Sequence, residues 1–260
     1  ETGTTVTLSE ARVIAERLMR NDSGVEYAEP DIRAYPTATP PSDPGYLPYQ
    51  WHYFAPADAV GGANLPDAWD ITKGSASITV AVIDTGYRQH ADLGTVLPGY
   101  DFIDNTTMAN DGGGRDSDAQ DPGDWITTSD TWCDGGYADN SSWHGTHVAG
   151  TIAALMNNGI GGTGIAPNVK ILPVRVLGKC GGNISDIVDG MRWAAGLAVP
   201  GVPANPTPAH VLNMSLGASG LCSASFQEAA DNVVAAGKVI VAATGNSATI
   251  HVGQPANCTG

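Results

Sequence analysis

The sequence predicts an α/β fold in which helices pack on a mainly parallel β-sheet. Four short apolar runs, rich in β-branched residues, are typical of strands that are buried on both faces, at residues 78–83, 169–176, 211–214 and 239–243. Helical patterns lie between these runs, at residues 147–155, 184–198 and 226–236. Because strands alternate with helices, we expect the chain to cross over the sheet and to add each new strand in parallel.

The first part of the chain lacks this alternation. Residues 9–20 have the spacing of a short amphipathic helix with Ser9 as its N-cap, and residues 25–28 are a candidate strand. Residues 35–44 are rich in proline, which favours an extended linker. We therefore expect three segments: a small unit at residues 1–35, a linker and arm at residues 36–50, and a larger domain at residues 51–260.

Composition excludes several classes of function. The 260 residues carry a net charge of -15, and a nucleic-acid partner is not expected because binding to phosphates requires a basic surface. No run of 18 apolar residues occurs, so no membrane-spanning segment is predicted. The acidic residues are 21 Asp and only 6 Glu, beside 33 Gly. Since Asp favours turns, caps and metal-binding loops over helix surfaces, this skew predicts long ordered loops.

The four cysteines are Cys133, Cys180, Cys222 and Cys258. None of them has the C-x-x-C spacing of zinc and redox sites. An even number of cysteines in an acidic, lysine-poor chain is compatible with two disulfides in an exported protein, and free buried thiols are the alternative. Four cysteines allow three pairings.

Polar residues follow the predicted strands at the edge where parallel sheets place their functional groups. Asp84 follows the first strand, Asn246 follows the last, and His144 precedes a helical pattern. The three residue types suit a general base, the carboxylate that orients it, and a donor to an oxyanion. At a helix start the positive end of the dipole disfavours imidazolium, so we expect a neutral His144.

Each of these residues also has an ordinary structural explanation. Asp84 and Asn246 could be turn residues, and His144 could cap a helix. His144 and His147 are spaced three apart and could ligate a metal, but no further ligand completes a zinc motif. Singly the three residues are weak indicators, and their order and context strengthen them.

Five motifs, in order, resemble those of the subtilisin-like serine proteases. They are VIDTG at 82–86, HGTHVAG at 144–150, GIAP at 164–167, NMSLG at 213–217 and ATGN at 243–246. The resemblance implies a subtilisin-like three-layer sandwich and a secreted endopeptidase that hydrolyses peptide bonds by Asp-His-Ser acyl transfer. In this sequence Asp84 would orient the general base His144, and Asn246 would donate to the oxyanion.

The same resemblance implies the residues that bind a peptide substrate. Two segments would form walls of the S1 pocket, Ser215, Leu216 and Gly217 with Ala243, Thr244 and Gly245. Such walls predict a wide apolar pocket that accepts large apolar P1 residues. Gly181 and Gly182 would belong to a strand that pairs with an extended substrate.

The resemblance also implies parts that this sequence does not contain. The nucleophilic serine of the family lies in a Gly-Thr-Ser-Met-Ala motif, which does not occur before Gly260, so we expect the serine beyond the given chain and no activity from this fragment alone. Residues 9–35 resemble the last helix and strand of the small α+β inhibitory propeptide. We therefore expect the chain's own propeptide to be an intramolecular inhibitor, in a precursor that is cut at both ends.

Calcium is the cofactor that the resemblance implies. In thermitase-like members one structural Ca²⁺ is shared by residues that match Asp43, Asp92 and Asn158 here, with carbonyls of Leu155, Ile160 and Gly162. A separate segment, residues 99–143, contains ten Asp and is called the insert below. Its hard carboxylates at Asp116, Asp118, Asp121 and Asp124 suit a second calcium site, and a solvated acidic loop is the alternative.

The insert resembles that of a secreted bacterial branch of the family with extra disulfides. By the resemblance, Cys133 lies before the His motif and Cys180 lies in the substrate-strand region, while Cys222 and Cys258 flank the S1 segments. The expected pairs are therefore Cys133–Cys180 and Cys222–Cys258. The alternative function is a non-catalytic pseudo-protease or binding module on the same fold. A calcium-binding module unrelated to proteolysis is a third interpretation, which leaves Asp84, His144 and Asn246 unexplained.

Overall fold

The computed structural model describes residues 6–31, 40–133, 137–246 and 252–259. The chain divides into two compact units, residues 1–39 and residues 40–260. Residues 32–39, which include the first residues of the proline-rich linker, lie outside the described residues. The arm at residues 40–50 belongs to the larger unit.

The smaller unit contains one helix, α1 (Leu8–Asn21), within its described residues. Thr7, rather than the expected Ser9, is the N-cap, because Thr7 and Glu10 form a reciprocal capping box that satisfies two free backbone donors. The Glu10 carboxylate accepts from the Thr7 backbone N–H at 2.7 Å. Residues 25–28 are irregular rather than a strand, since no described segment pairs with them.

The larger unit is built on a five-stranded parallel sheet, which confirms the predicted fold class. The strands are β1 (Thr79–Asp84), β2 (Tyr100–Asp101), β3 (Lys170–Arg175), β4 (Val211–Met214) and β5 (Val239–Ala242). Their order across the sheet is β2-β3-β1-β4-β5, and every pair is parallel. This places β1 at the centre, where its six residues are all buried.

The helices of this unit include the three that were predicted. They are α2 (Tyr46–Tyr49), α3 (Leu65–Ile71), α4 (Thr106–Ala109), α5 (His144–Ala153), α6 (Ile184–Ala194) and α7 (Ala224–Ala235), with a 3₁₀ turn at Trp51–Tyr53. Helix α5 begins three residues earlier than its pattern predicts, at His144 itself. Among the described residues, every helix is too short or too polar to cross a membrane.

Alternate residues of β1 face opposite layers of helices. Ala81 and Ile83 belong to a buried cluster with residues of α6 and α7. Val80 and Val82 belong to a second cluster with residues of α5. A strand buried on both faces has no polar alternation, which is why its sequence is a continuous apolar run. The sheet thus lies between two helical layers and brings Asp84 to its carboxyl edge.

Two arginines fix the insert to this sheet. Arg175, at the end of β3, is 1% exposed and forms ion pairs with Asp101 and, at 2.7 Å, with Asp111. Arg115 of the insert pairs with Asp186 of α6 at 2.6 Å. These ion pairs link the insert to the end of β3 and to α6. Separating either pair would leave an uncompensated buried charge, so the pairs hold the insert beside the sheet edge.

Candidate active site

Asp84 and His144 form a hydrogen-bonded pair at the carboxyl edge of the sheet. The Nδ1 atom of His144 lies 2.7 Å from Oδ1 and 2.9 Å from Oδ2 of Asp84. Asp84 ends β1 and its side chain is fully buried, whereas 46% of the His144 side chain is exposed. Gly145 permits this approach, because a Cβ there would lie 3.2 Å from the Asp84 carboxylate.

The pair fixes the protonation pattern of the imidazole. An ionised carboxylate can only accept, so Nδ1–H of His144 donates to Asp84 and Nε2 is left as the acceptor. The hydrogen bond with Asp84 raises the pKa of His144, and the charges of Asp84 and Asp124 add to this rise while burial opposes it. The helix start alone predicts a lowered pKa, and this direction is corrected, since a carboxylate at 2.7 Å outweighs the partial charge of a helix end. The ring is neutral, with Nε2 free, above that raised pKa.

The candidate substrate-binding segments leave the sheet side by side. Strands β4 and β5 pair in register up to Met214 and Ala242, and the Ala243 N–H donates to the Met214 carbonyl at 3.0 Å. Ser215 and Gly217 therefore follow β4 at the edge where residues 243–246 follow β5. Residues 243–246, including Asn246, are exposed, and Leu216 is partly buried.

Gly181 and Gly182 do not form the expected strand. Gly178 and Gly181 exchange two backbone hydrogen bonds, of 2.9 and 3.1 Å, which close a tight turn. Gly181 has a φ of 98°, a conformation that favours glycine, and Gly182 lies close to the Val176 carbonyl just before α6. Gly181 therefore permits the tight turn, and Gly182 permits its backbone to lie close to the Val176 carbonyl.

Both expected disulfides are present. Cys133 is bonded to Cys180, and Cys222 is bonded to Cys258. The first joins the insert to the tip of the Gly178–Gly181 turn. The second joins the segment before α7 to the last described segment of the chain.

Comparison with known protein families decides the affiliation of this fold and site. A family model described as the Subtilase family matches residues 75–260, which include Asp84, His144 and Asn246. The chain belongs to the subtilase family.

Named subtilase relatives include two extracellular proteins. The chain is 49% identical, over 95% of its length, to the extracellular protease of Xanthomonas campestris pv. campestris. It is 47% identical, over 92% of its length, to the extracellular basic protease of Dichelobacter nodosus. It covers 42% and 39% of these two proteins, and so spans about two fifths of their length. A solved structure of a protease from Pseudoalteromonas arctica has 55% identity and a TM-score of 0.79, over 85% of this chain and 63% of that one.

The subtilase chain brings Asp43, Asp92 and Asn158 together around one loop. The buried Asp43 carboxylate accepts from the backbone N–H groups of Asn157, Asn158 and Gly159 at 2.7, 2.9 and 3.2 Å. The side-chain amide of Asn158 donates to Asp92 at 2.8 Å. Burial raises the pKa of Asp92, and the charge of Asp43 adds to this rise.

This donor set fits a hard cation. Asp43 and Asp92 are both buried, and neither takes part in any of the ion pairs found among the described residues. The Leu155 N–H donates to the Asp92 carbonyl, which holds the loop that carries Ile160 and Gly162 beside the two carboxylates. Carboxylate, amide and carbonyl oxygens are the ligands that Ca²⁺ prefers. Within the described residues, however, no group of three or more His, Cys, Asp or Glu is arranged to hold a metal.

The four candidate carboxylates of the insert take separate partners in the subtilase chain. Asp116 and Asp118 each cap a turn, accepting from the N–H two residues later at 2.7 and 3.0 Å. Asp121 is buried and accepts from Thr85, and Asp124 accepts from the backbone and hydroxyl of Ser142. The described geometry therefore supports local structural roles for these carboxylates and does not gather them into a ligand set.

Thr85 is a site residue that sequence reasoning missed. Its hydroxyl donates to Asp121 at 2.7 Å and accepts from the Gly145 N–H at 3.0 Å. The signal was its position directly after Asp84 in the first subtilase motif, but its partner lies 36 residues away. No local pattern connects a threonine to a carboxylate at that separation.

Proposed function

We propose that the complete protein is a secreted serine endopeptidase that hydrolyses peptide bonds by acyl transfer. The observation that carries this proposal is the Asp84–His144 pair, 2.7 Å apart at the carboxyl edge of the sheet. The nucleophile that this mechanism requires would be a serine of the complete protein outside residues 1–260. Secretion is supported by the disulfides Cys133–Cys180 and Cys222–Cys258, and by the two similar proteins that are named extracellular.

The proposed mechanism assigns each proton. Nε2 of His144 takes the hydroxyl proton as the serine oxygen attacks the peptide carbonyl, and Asp84 stabilises the imidazolium that forms. The side-chain amide of Asn246 donates to the carbonyl oxygen as it becomes an oxyanion. His144 then gives its proton to the leaving amine. In the second step His144 takes a proton from the water that attacks the acyl-enzyme, and returns it to the serine oxygen as the ester bond breaks and the acid product leaves.

The substrates that we propose are proteins and peptides with large apolar P1 residues. Ser215, Leu216 and Gly217 would form one wall of the S1 pocket, and Ala243, Thr244 and Gly245 the other. This is supported by the register of β4 and β5, which makes the two segments neighbours at the sheet edge. Gly181 and Gly182 would contact the substrate backbone from the rim of their turn.

The test of the proposed function is peptide hydrolysis by the complete protein. Matched peptide anilides with Phe, Lys or Glu at P1 are compared at pH 8. We expect hydrolysis of the anilides, and a higher kcat/KM for Phe than for Lys or Glu. A preference for Lys would refute the proposed pocket. Absence of hydrolysis of any peptide or of casein by the folded protein would refute the endopeptidase and favour the non-catalytic alternative.

Asn246→Ala is expected to lower kcat by about 10²–10³, because one oxyanion donor is worth roughly 2.7–4 kcal/mol in the transition state. KM should change little, since the donor acts on the charge that develops after binding. Steady-state kinetics of the complete protein measures both constants. The matched control is Asn232→Ala, on the exposed face of α7. A kcat within threefold of the parent would remove Asn246 from the oxyanion site.

We also propose that residues 1–35 are the end of an inhibitory propeptide. The support is that they form a unit separate from residues 40–260, with a boundary at residue 39. Helix α1 exposes Val13, Ile14 and Leu18, which is an apolar face that an intramolecular inhibitor would need. Cleavage in the proline-rich segment that follows would separate the propeptide from the larger unit.

Calcium is the structural cofactor that we propose for the loop around Asp43. Asp43, Asp92 and Asn158 would hold the ion with carbonyls of Leu155, Ile160 and Gly162, and the ion would neutralise two buried carboxylates. It would tie the arm at residues 40–50 to the end of α5. Asp116, Asp118, Asp121 and Asp124 are not included, since each already has its own partner.

Removal of calcium is expected to lower the thermal unfolding midpoint. A ligand at 100 times its Kd stabilises by about 2.7 kcal/mol, which corresponds to roughly 5–10 °C for a domain of this size. The midpoint of the complete protein is measured with millimolar Ca²⁺ and after chelation. Asp43→Asn should remove most of the calcium-dependent difference, and Asp58→Asn, at an exposed position, should preserve it. A midpoint that is independent of calcium in the parent protein would contradict the site.

A further inference from the structure

The insert pairs with the backbone that directly follows Asp84. The Tyr87 N–H donates to the Ala119 carbonyl at 3.2 Å, and the Asp121 N–H donates to the Tyr87 carbonyl at 2.9 Å. Between them Gly86 has a φ of 95°, and a Cβ there would lie 3.1 Å from the Asp121 nitrogen. The segment after Asp84 is therefore held closely against the insert.

The Thr85 hydroxyl connects three elements at this point. It is buried, donates to Oδ2 of Asp121 at 2.7 Å, and accepts from the Gly145 N–H at 3.0 Å. A backbone N–H can only donate, so the hydroxyl oxygen accepts from Gly145 and its single proton points to Asp121. The lone pair of the oxygen therefore faces the first turn of α5.

The bond from Thr85 to Gly145 runs beside the bond from Asp84 to His144. Thr85 follows Asp84 at the end of β1, and Gly145 follows His144 at the start of α5. In each bond the two partners are 60 residues apart in sequence, and both bonds connect the end of β1 to the start of α5. A group that holds the Thr85 hydroxyl in place therefore also constrains the distance between the Asp84 carboxylate and the His144 ring.

Asp121 is itself held so that it can fix this hydroxyl. Its side chain is 1% exposed, and its second oxygen accepts from the Gly123 N–H at 2.8 Å. We propose that Asp121 is a positioning residue for the Asp84–His144 pair and acts through the hydroxyl of Thr85. An acidic residue of the insert, one expected from sequence to ligate calcium, thereby serves the geometry of the triad.

Four variants of the complete protein test this role. Thr85→Val removes the hydroxyl at nearly constant shape, and Thr85→Ser retains it. Asp121→Asn replaces one of its two oxygens with an NH2 group, and because Thr85 and Gly123 donate to different oxygens, one of these two bonds is lost. Asp139→Asn is the matched control, because Asp139 is an exposed residue of the insert whose side chain, among the described residues, accepts only from the Asn140 N–H.

We expect Thr85→Val and Asp121→Asn to lower kcat by about 10- to 100-fold with KM within about twofold, since misplacement of catalytic groups by an ångström costs about 10². Thr85→Ser and the control should stay within threefold of the parent. The double variant Thr85→Val with Asp121→Asn should lose no more than the larger single loss, because the two residues act in series. Unchanged kcat in either single variant, or independent losses that multiply, would overturn the proposal.

The kinetic part of this inference rests on the proposed function, so the His144 ring is measured independently by NMR titration of the complete protein. The charged groups that act on the ring are Asp84 and Asp124, and the bond with Asp84 is the largest cause of its raised pKa. Thr85→Val removes no charge, so a fall in the His144 pKa in this variant reports a loosened pair. Absence of hydrolysis in the parent with a shifted His144 pKa would refute only the proposed function. An unshifted pKa would refute the positioning role.

Discussion

His144→Ala is expected to lower kcat of the complete protein by about 10⁶, the loss typical of removing the general base from a triad of this kind. Without the imidazole nothing takes the proton of the nucleophile, and only binding and oxyanion contacts remain. Asp84→Asn should cost about 10⁴, because the amide N–H can donate to Nδ1 and so favour the tautomer in which Nε2 carries the proton and cannot act as the base. Both values are obtained from kcat with a peptide anilide.

The expected control for this pair is another exposed histidine. His52→Gln should leave kcat within about threefold, since the described contacts of His52 are with Trp51 and Tyr53 rather than with Asp84. The double variant Asp84→Asn with His144→Ala should be no slower than His144→Ala alone, because residues that act as a unit are not additive. A loss below a hundredfold for His144→Ala would assign the chemistry to another base.

Arg175→Met is expected to destabilise the protein by about 3–5 kcal/mol, the cost of breaking a buried ion pair from one side. The Arg175 guanidinium is 1% exposed and pairs with Asp101 and Asp111, and it also donates to the Ala109 carbonyl. Removing it leaves the fully buried Asp101 without a cation. The thermal unfolding midpoint should fall on the order of 10 °C for a chain of this length.

Two further variants separate the buried pair from ordinary surface effects. Asp101→Asn added to Arg175→Met should recover part of the lost stability, since the uncompensated carboxylate is then gone. Arg192→Met is the matched control, because Arg192 pairs at 2.8 Å with Glu228, whose side chain is 68% exposed. Such a pair contributes about 0–1 kcal/mol. Equal losses for Arg175→Met and Arg192→Met would show that the buried network does not stabilise the insert.

Four of the five strands were predictable from their continuous apolar sequences, although β5 is exposed or partly buried along its length rather than buried on both faces. The runs at β1, β3, β4 and β5 were identified, because continuous β-branched residues are typical of parallel strands. Strand β2 was missed, since its two residues are held by pairing with β3 and carry no periodicity. The candidate strand at residues 25–28 was wrong, because no segment among the described residues pairs with it and a strand needs a pairing partner.

The residues of the candidate site could be predicted from the sequence, but the distances between them could not. The motifs indicated Asp84 and His144, and the structure brings them to 2.7 Å. The effect of Asp84 on the His144 pKa depends on that distance, which cannot be read from the sequence. The helix start alone therefore led to a lowered pKa, whereas the pKa is raised. The carboxylates of the insert were equally ambiguous, because a turn-capping Asp and a calcium-ligating Asp look alike in sequence.

The pH dependence of labelling by a fluorophosphonate tests the central claim most directly, because this reagent reacts with a serine only when a neutral base activates it. The complete protein should be labelled stoichiometrically, at a rate that rises with pH through a midpoint above the ordinary histidine value of 6.5, since Asp84 raises the pKa of His144. His144→Ala should abolish labelling. Labelling that is independent of pH between about 5 and 9, or that persists unchanged in His144→Ala, would contradict the role of the Asp84–His144 pair.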